Sequence, residues 1–341
     1  MRLNKLAKKI FAAGLAVSLM MANAGVSFAD TYSEEVSFDH TMTVAEGAST
    51  PVVTYTYTIE PDKNVDGKYV DGTESNIVKS GLEGATITDK AEFIATDTGD
   101  KLTKKIKVDL SNVDFTEPGV YRYIITAKQE NEWNGVTIDE EKRILDVVVQ
   151  YDESGENLTF TSYMYKESEK GGTTKTSKYT STYATTNLTL SKTVEGNQAS
   201  HTKEFTFTVK ITNANEGAKY TVTGEGVTLT DETKTLTVDS SKEVSATYNI
   251  KGGANIKIDG LAKDTEYDIV EAEANQDGYT TTVKDNNASG TIADTAIAVE
   301  FINRREGTIP TGVILDSAPF ILIIGLAAAA LVITAARKKV H

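Results

Sequence analysis

Val52-Val53-Thr54-Tyr55-Thr56-Tyr57-Thr58-Ile59 alternates apolar and polar side chains almost without a break. A period of two puts Val53, Tyr55 and Tyr57 on one face of an extended chain and the threonines on the other, the pattern of a strand with one buried side. Similar runs recur about every ten to twenty residues, a spacing that favours sandwiches over βαβ units. They are Lys104–Leu110, Val120–Ala127, Arg143–Val149 and Leu158–Tyr165, then Phe205–Thr212, Thr235–Val238, Glu243–Ile250, Tyr267–Glu271, Tyr279–Val283 and Ile297–Asn303. Turn-rich stretches such as Glu153-Ser154-Gly155-Glu156-Asn157 and Lys284-Asp285-Asn286-Asn287 separate them. The expected class is all-β.

The two halves also echo each other. Pro51–Ile59 parallels Glu204–Lys210, and Gly119–Ile125 parallels Glu266–Val270, a repeat of a whole domain. Boundaries near Ala184 and Arg305 follow, giving domains over 30–184 and 185–305. A linker between Thr185 and Leu190 is too short for free reorientation, so a stiff tandem rod is expected.

Composition narrows the function classes. The 341 residues carry a formal net charge of -14 and no cysteine. The acidic balance argues against nucleic acid or an anionic membrane surface as partner, both of which need a basic footprint. Without disulfides, an exported chain must find another stabilising device. His40, His201 and His341 are scattered, so neither a metal cluster nor a hydrolase triad is expected, and no Gly-rich phosphate loop is present. No cofactor is implied. Asp139-Glu140-Glu141 reads as a solvated turn and Trp133 as a loop-packing aromatic.

Both ends carry export signals. Lys5, Lys8 and Lys9 precede an apolar stretch from Ile10 to about Met21, and Ser27-Phe28-Ala29 supplies the small residues of a cleavage site, so residues 1–29 read as a signal peptide. At the other end, residues 306–341 hold Thr308-Ile309-Pro310-Thr311-Gly312, an apolar run over 318–336 long enough to span a bilayer, and Arg337-Lys338-Lys339. The Pro-Thr-Gly step resembles the sorting motif of sortase substrates in Gram-positive bacteria, cut between Thr311 and Gly312. The proline directly before threonine departs from the commonest form of that motif and is similar to the signal of pilin shaft subunits.

Nearly the whole mature chain, most strongly from Leu188 onward, resembles two-domain streptococcal-type major pilins, whose immunoglobulin-like (CnaB-type) β-sandwich domains carry self-formed Lys-Asn isopeptide bonds. The resemblance implies roles for Lys192 in Leu190-Ser191-Lys192-Thr193-Val194 as the attacking amine, Asn303 in Phe301-Ile302-Asn303 as the amide attacked, and Glu271 as the assisting acid. Burial pushes a lysine toward its neutral, nucleophilic form and a carboxyl toward its protonated form, by up to about 3–5 units. In the first domain the matching positions hold His40, Ala127 and Ser181, which cannot form an amide crosslink, so no bond is expected there. The resemblance also implies an acceptor lysine late in the first domain: Lys175, with Lys178 and Lys170 behind it.

The expected function is the shaft subunit of a cell-surface pilus, polymerised through Thr311 and that lysine. A monomeric wall-anchored adhesin or pilus-base subunit is the alternative. The implied partners are a pilus-class sortase, identical subunits joined head to tail, ancillary pilins, peptidoglycan and a host receptor. Enzymatic turnover is not expected.

Overall fold

The structure, a computed structural model, describes residues 36–68, 77–169 and 178–308. The predicted signal peptide, the sorting motif beyond Thr308, the apolar span and Lys170 and Lys175 lie outside these residues. Among the described residues no helix is long and apolar enough to cross a membrane.

Two pairs of sheets follow one another along the chain. In the first half, β1 (Val36–Val44) lies between β5 (Lys101–Val108) and β10 (Lys178–Tyr183), with β7 (Val136–Ile138) at the far edge. The second sheet runs in the order β4 (Ala91–Phe93), β2 (Val53–Pro61), β6 (Gly119–Gln129), β8 (Arg143–Tyr151), β9 (Leu158–Lys166), with β3 (Val78–Ser80) added to β6. In the second half, one sheet is β14 (Thr235–Thr237), β13 (Lys219–Glu225), β16 (Asn255–Ala262), β11 (Thr185–Glu195), β20 (Ile297–Arg304), β18 (Thr280–Val283). Its counterpart is β15 (Val244–Lys251), β12 (Glu204–Thr212), β17 (Glu266–Glu271), β19 (Ser289–Thr291). Described helix is limited to α1 (Asp231–Lys234) and two 3-10 turns.

The alternation that predicts strands also sorts their faces. Tyr55 and Tyr57 on β2, and Phe205, Phe207, Val209 and Ile211 on β12, are buried, while the intervening threonines and lysine are partly or fully exposed. Each large apolar side chain so buried contributes about 1.5–3 kcal/mol. The repeated segments sit at matching places: β2 pairs antiparallel with β6, and β12 with β17. In each half the first strand lies parallel to the last, β1 against β10 and β11 against β20.

Several elements depart from the sequence reading. β13 and β16 were not expected, although Ile256 and Ile258 alternate with polar residues and are fully buried. Thr185–Leu190, read as a linker, is the first half of β11, because Thr185 to Ser191 pair with β16. Only Ala184 separates β10 from β11.

The junction is hydrogen-bonded on several sides. The Asn134 amide N–H donates to Asn215 Oδ1 (2.8 Å), Asn215 Nδ2 donates back to the Asn134 carbonyl (3.1 Å), and Ser49 Oγ donates to the Lys219 carbonyl (3.2 Å). Ala184 N–H donates to the Gly135 carbonyl at 2.9 Å. Gly135 has φ 82° and its Cβ would fall 2.6 Å from the Ala184 carbonyl oxygen, so only glycine fits this crossing.

Candidate functional site

Lys192 has its place because β11 alternates: Leu188, Leu190, Lys192 and Val194 all face inward, and a lysine stands in an otherwise apolar row. β20 turns Val299, Phe301 and Asn303 to the same interior, and β17 ends there with Glu271. All three polar side chains are buried, at 1%, 3% and 0% exposure for Lys192, Glu271 and Asn303. Charged groups almost never occupy such positions unless partnered.

They partner one another. Lys192 Nζ donates to Glu271 Oε2 at 2.8 Å, and Asn303 Nδ2 donates to Glu271 Oε1. One carboxyl therefore bridges the first and last strands of the domain. The Asn303 Oδ1 atom is buried without a hydrogen-bond partner, which normally costs about 1–3 kcal/mol. Aromatic faces complete the enclosure: Lys192 Nζ lies 4.4 Å from the Phe205 ring centre and 5.5 Å from that of Phe207. Desolvation pushes the Lys192 amine below its ordinary value, and the hydrogen bond to Glu271 opposes that shift.

The first-half residues also converge. His40 on β1 is fully buried, with Nδ1 2.6 Å from the Tyr57 hydroxyl and Nε2 3.1 Å from Ser181 Oγ. Ala127 stands opposite Tyr57 in the β2–β6 ladder. Burial, then the Arg143 cation, lowers the His40 imidazole to about 3, so it is neutral at physiological pH.

Among the candidate acceptor lysines, Lys178 is described: it is exposed and opens β10. Its carbonyl accepts from Arg143 Nε at 3.1 Å. Arg143 belongs to a network that sequence reasoning missed. Asp139, read as part of a solvated turn, pairs with Arg143 at 2.8 Å and Lys166 at 2.7 Å, and the Ser168 amide donates to Glu141 Oε1 at 2.7 Å. The charges of 139–141 thus brace the chain before and after residues 170–177. The signal was the buried Arg143 at the head of a hydrophobic strand. A second such ion pair joins Arg122 to Asp146 at 2.7 Å, with the Tyr165 hydroxyl donating to Asp146 at 2.9 Å. Among the described residues no group of His, Cys, Asp and Glu could hold a metal ion. Trp133 packs in its loop at 9% exposure, and His201 is exposed.

Residues 40–184 match the family model of the Spy0128-like isopeptide containing domain, and residues 186–305 match a domain of unknown function, DUF7601. A curated relative, a pilin from Streptococcus pyogenes serotype M1, is 26% identical over 300 residues, covering 82% of this chain and 83% of the relative. The crystal structure of the major pilin from Streptococcus pyogenes aligns with a TM-score of 0.57 at 22% identity, over 80% of this chain and 99% of that one. The T3.2 major pilin of the same species aligns at 0.56 and 25% identity, with the same coverage.

Proposed function

We propose, for a chain that is similar to streptococcal-type major pilins along four-fifths of its length, that it is a shaft subunit of a cell-surface pilus. In this reading the second half seals itself with a Lys192–Asn303 amide and subunits are joined by sortase from Thr311 to a lysine of the next copy. The comparisons support a structural subunit of a pilus. The observation that carries the finer reading is the buried Lys192–Glu271–Asn303 constellation across β11 and β20.

The chemistry follows from the contacts. Glu271 accepts a proton from the Lys192 ammonium, an exchange that burial favours because it removes two opposite charges from a low-dielectric site. The neutral amine attacks Asn303 Cγ, forming a C–N bond. Glu271 gives its proton to the amide nitrogen and takes the second proton from the attacking nitrogen, the C–Nδ2 bond breaks, and ammonia leaves with Glu271 protonated. No external reactant is required.

The same placement gives the bond a mechanical role. Load entering from a lysine ahead of β10 passes through Ala184 into β11, crosses at Lys192 to Asn303 and leaves by β20 toward Thr311. Residues 193–302 are then bypassed and cannot be pulled out. Asn197 holds the exit, with its Oδ1 accepting from the Gly307 amide (2.9 Å) and its Nδ2 donating to the Gly307 carbonyl (3.0 Å).

The test is an immunoblot of boiled, SDS-treated cell-wall extract from the native organism. A ladder of regularly spaced high-mass species is expected, collapsing when Thr311 is replaced and when the acceptor lysine, Lys175 first, is replaced. A single wall-linked band would favour the monomeric adhesin or base subunit instead.

A further inference from the structure

The two halves share more than topology at their polar centres. On the first-and-last-strand ladder of the second half, Lys192 pairs with Phe301 and Asn303 lies two residues beyond. On that of the first half, His40 pairs with Tyr179 and Ser181 lies two residues beyond. Across the other sheet, Phe207 stands opposite Glu271, and Tyr57 stands opposite Ala127. The aromatic neighbours correspond too: Phe205 lies 4.4 Å from Lys192 Nζ, and the Tyr55 ring lies 4.2 Å from the His40 ring. The register is the same in both halves, and the side chains differ at all six positions; at four of them, His40, Tyr57, Ala127 and Ser181, the polar contacts are replaced or removed.

We infer that the first half keeps the geometry of a crosslinking site and fills it with a non-covalent chain, Tyr57–His40–Ser181, that ties first strand, last strand and facing sheet together. The Tyr57 hydroxyl comes from the strand facing the missing acid and reaches the imidazole in its place. Neutral imidazole has one N–H and one lone pair, so either tautomer completes a continuous donor-to-acceptor run. With Nε2–H, Tyr57 donates to Nδ1 and the ring donates to Ser181; with Nδ1–H, the direction reverses. A protonated ring would present two N–H groups and gains no carboxylate. The groups facing it are Tyr55 and Tyr57 from β2, Phe93 from β4, and Tyr179 and Ser181 from β10. The charged groups nearby are the Arg143 cation on β8 and Lys104, its ladder partner on β5, which is paired with Asp97.

This chain should hold in neutral solution and weaken in acid, with no ammonia lost in the first half. The inference draws on the proposed Lys192–Asn303 reaction only for what a rebuilt site would do. The decisive variant makes the first half match the second: His40→Lys, Tyr57→Phe, Ala127→Glu and Ser181→Asn together. In it the amine introduced on β1 would attack the side-chain amide carbon introduced on β10, a C–N bond would form, and the amide nitrogen would leave as ammonia. Intact mass of the mature variant should then fall two ammonias below its own sequence mass, where the parent falls one below its own, with a crosslinked peptide joining β1 to β10.

Two single variants measure the native chain by calorimetry of the mature protein. Tyr57→Phe should lower the first-half melting midpoint at pH 7.5 while leaving the second-half transition in place. His40→Gln, which cannot protonate, should flatten the fall of that midpoint between pH 6.5 and pH 4. A folded fourfold variant without the extra ammonia would overturn the retained geometry. A Tyr57→Phe protein melting like the parent across this range would overturn the non-covalent tie, and it decides the matter if the fourfold variant does not fold. A parent that loses no ammonia would instead sink the reading of the second half, leaving both single-variant results interpretable.

Discussion

Glu271 is the residue on which the second half turns. Its two oxygens take Lys192 and Asn303 separately, so Glu271→Ala removes both the proton carrier and the ionic partner of a buried amine. The expected outcome is a chain of unmodified mass. Against the sealed parent, the variant leaves a buried amine without its carboxylate, which costs about 3–5 kcal/mol, and loss of a link closing a loop of roughly a hundred residues adds about 4.7 kcal/mol by chain-entropy reasoning. Chemical denaturation of the parent and variant checks the sum. His40 sets the acid response of the first half. Its native value is about 3 against 6.5 unfolded, so between those values the unfolded chain binds a proton that the native chain does not. Stability from this group is full above pH 6.5 and is lost as pH falls toward 3, by at most about 5 kcal/mol at 1.36 kcal/mol per unit. Melting curves from pH 7.5 to 3.5 should show the first half failing before the second.

At the scale of elements, the turn after β11 makes a sharp prediction. Gly196 has φ 101°, and a Cβ there would come 2.1 Å from the Arg305 carbonyl oxygen. Gly196→Ala should destabilise this end by about 1–3 kcal/mol and release the Asn197 grip, seen as faster hydrogen exchange at Gly307. Most strands were legible because period-two alternation survives wherever one face is buried, as in β2 and β12. β13 and β16 show the limit: their alternation is short and broken by Gly224 and Gly260, which the pleat tolerates. Lys192, Glu271 and Asn303 were legible through the pilin resemblance, from their order and flanking motifs; Lys192 is the polar member of an apolar row, and Glu271 and Asn303 are the last inward residues of β17 and β20. The Tyr57–His40–Ser181 contacts were not, because a tyrosine among alternating aromatics looks like any core residue until its hydroxyl finds a partner across the sandwich. Arg143 and Asp139 escaped for the same reason, as pairing depends on strands distant in sequence.

Over the whole molecule, the family matches and the side chains point in opposite directions. The half matched to an isopeptide-containing domain holds His40, Ala127 and Ser181, while the half matched to a domain of unknown function holds the lysine, acid and asparagine. The two halves are joined by the Asn134–Asn215 exchange and by a single-residue connection at Ala184. Asn215→Ala should widen the interdomain distribution seen by small-angle scattering without moving either melting transition. One number for the whole chain tests the central claim most directly: the intact mass of the recombinant mature protein, with its crosslinked peptide sequenced. A deficit of one ammonia, mapped to Lys192 and Asn303 and abolished by Lys192→Ala, is predicted. A full sequence mass would contradict the bond in the second half, and a deficit of two would contradict its absence from the first.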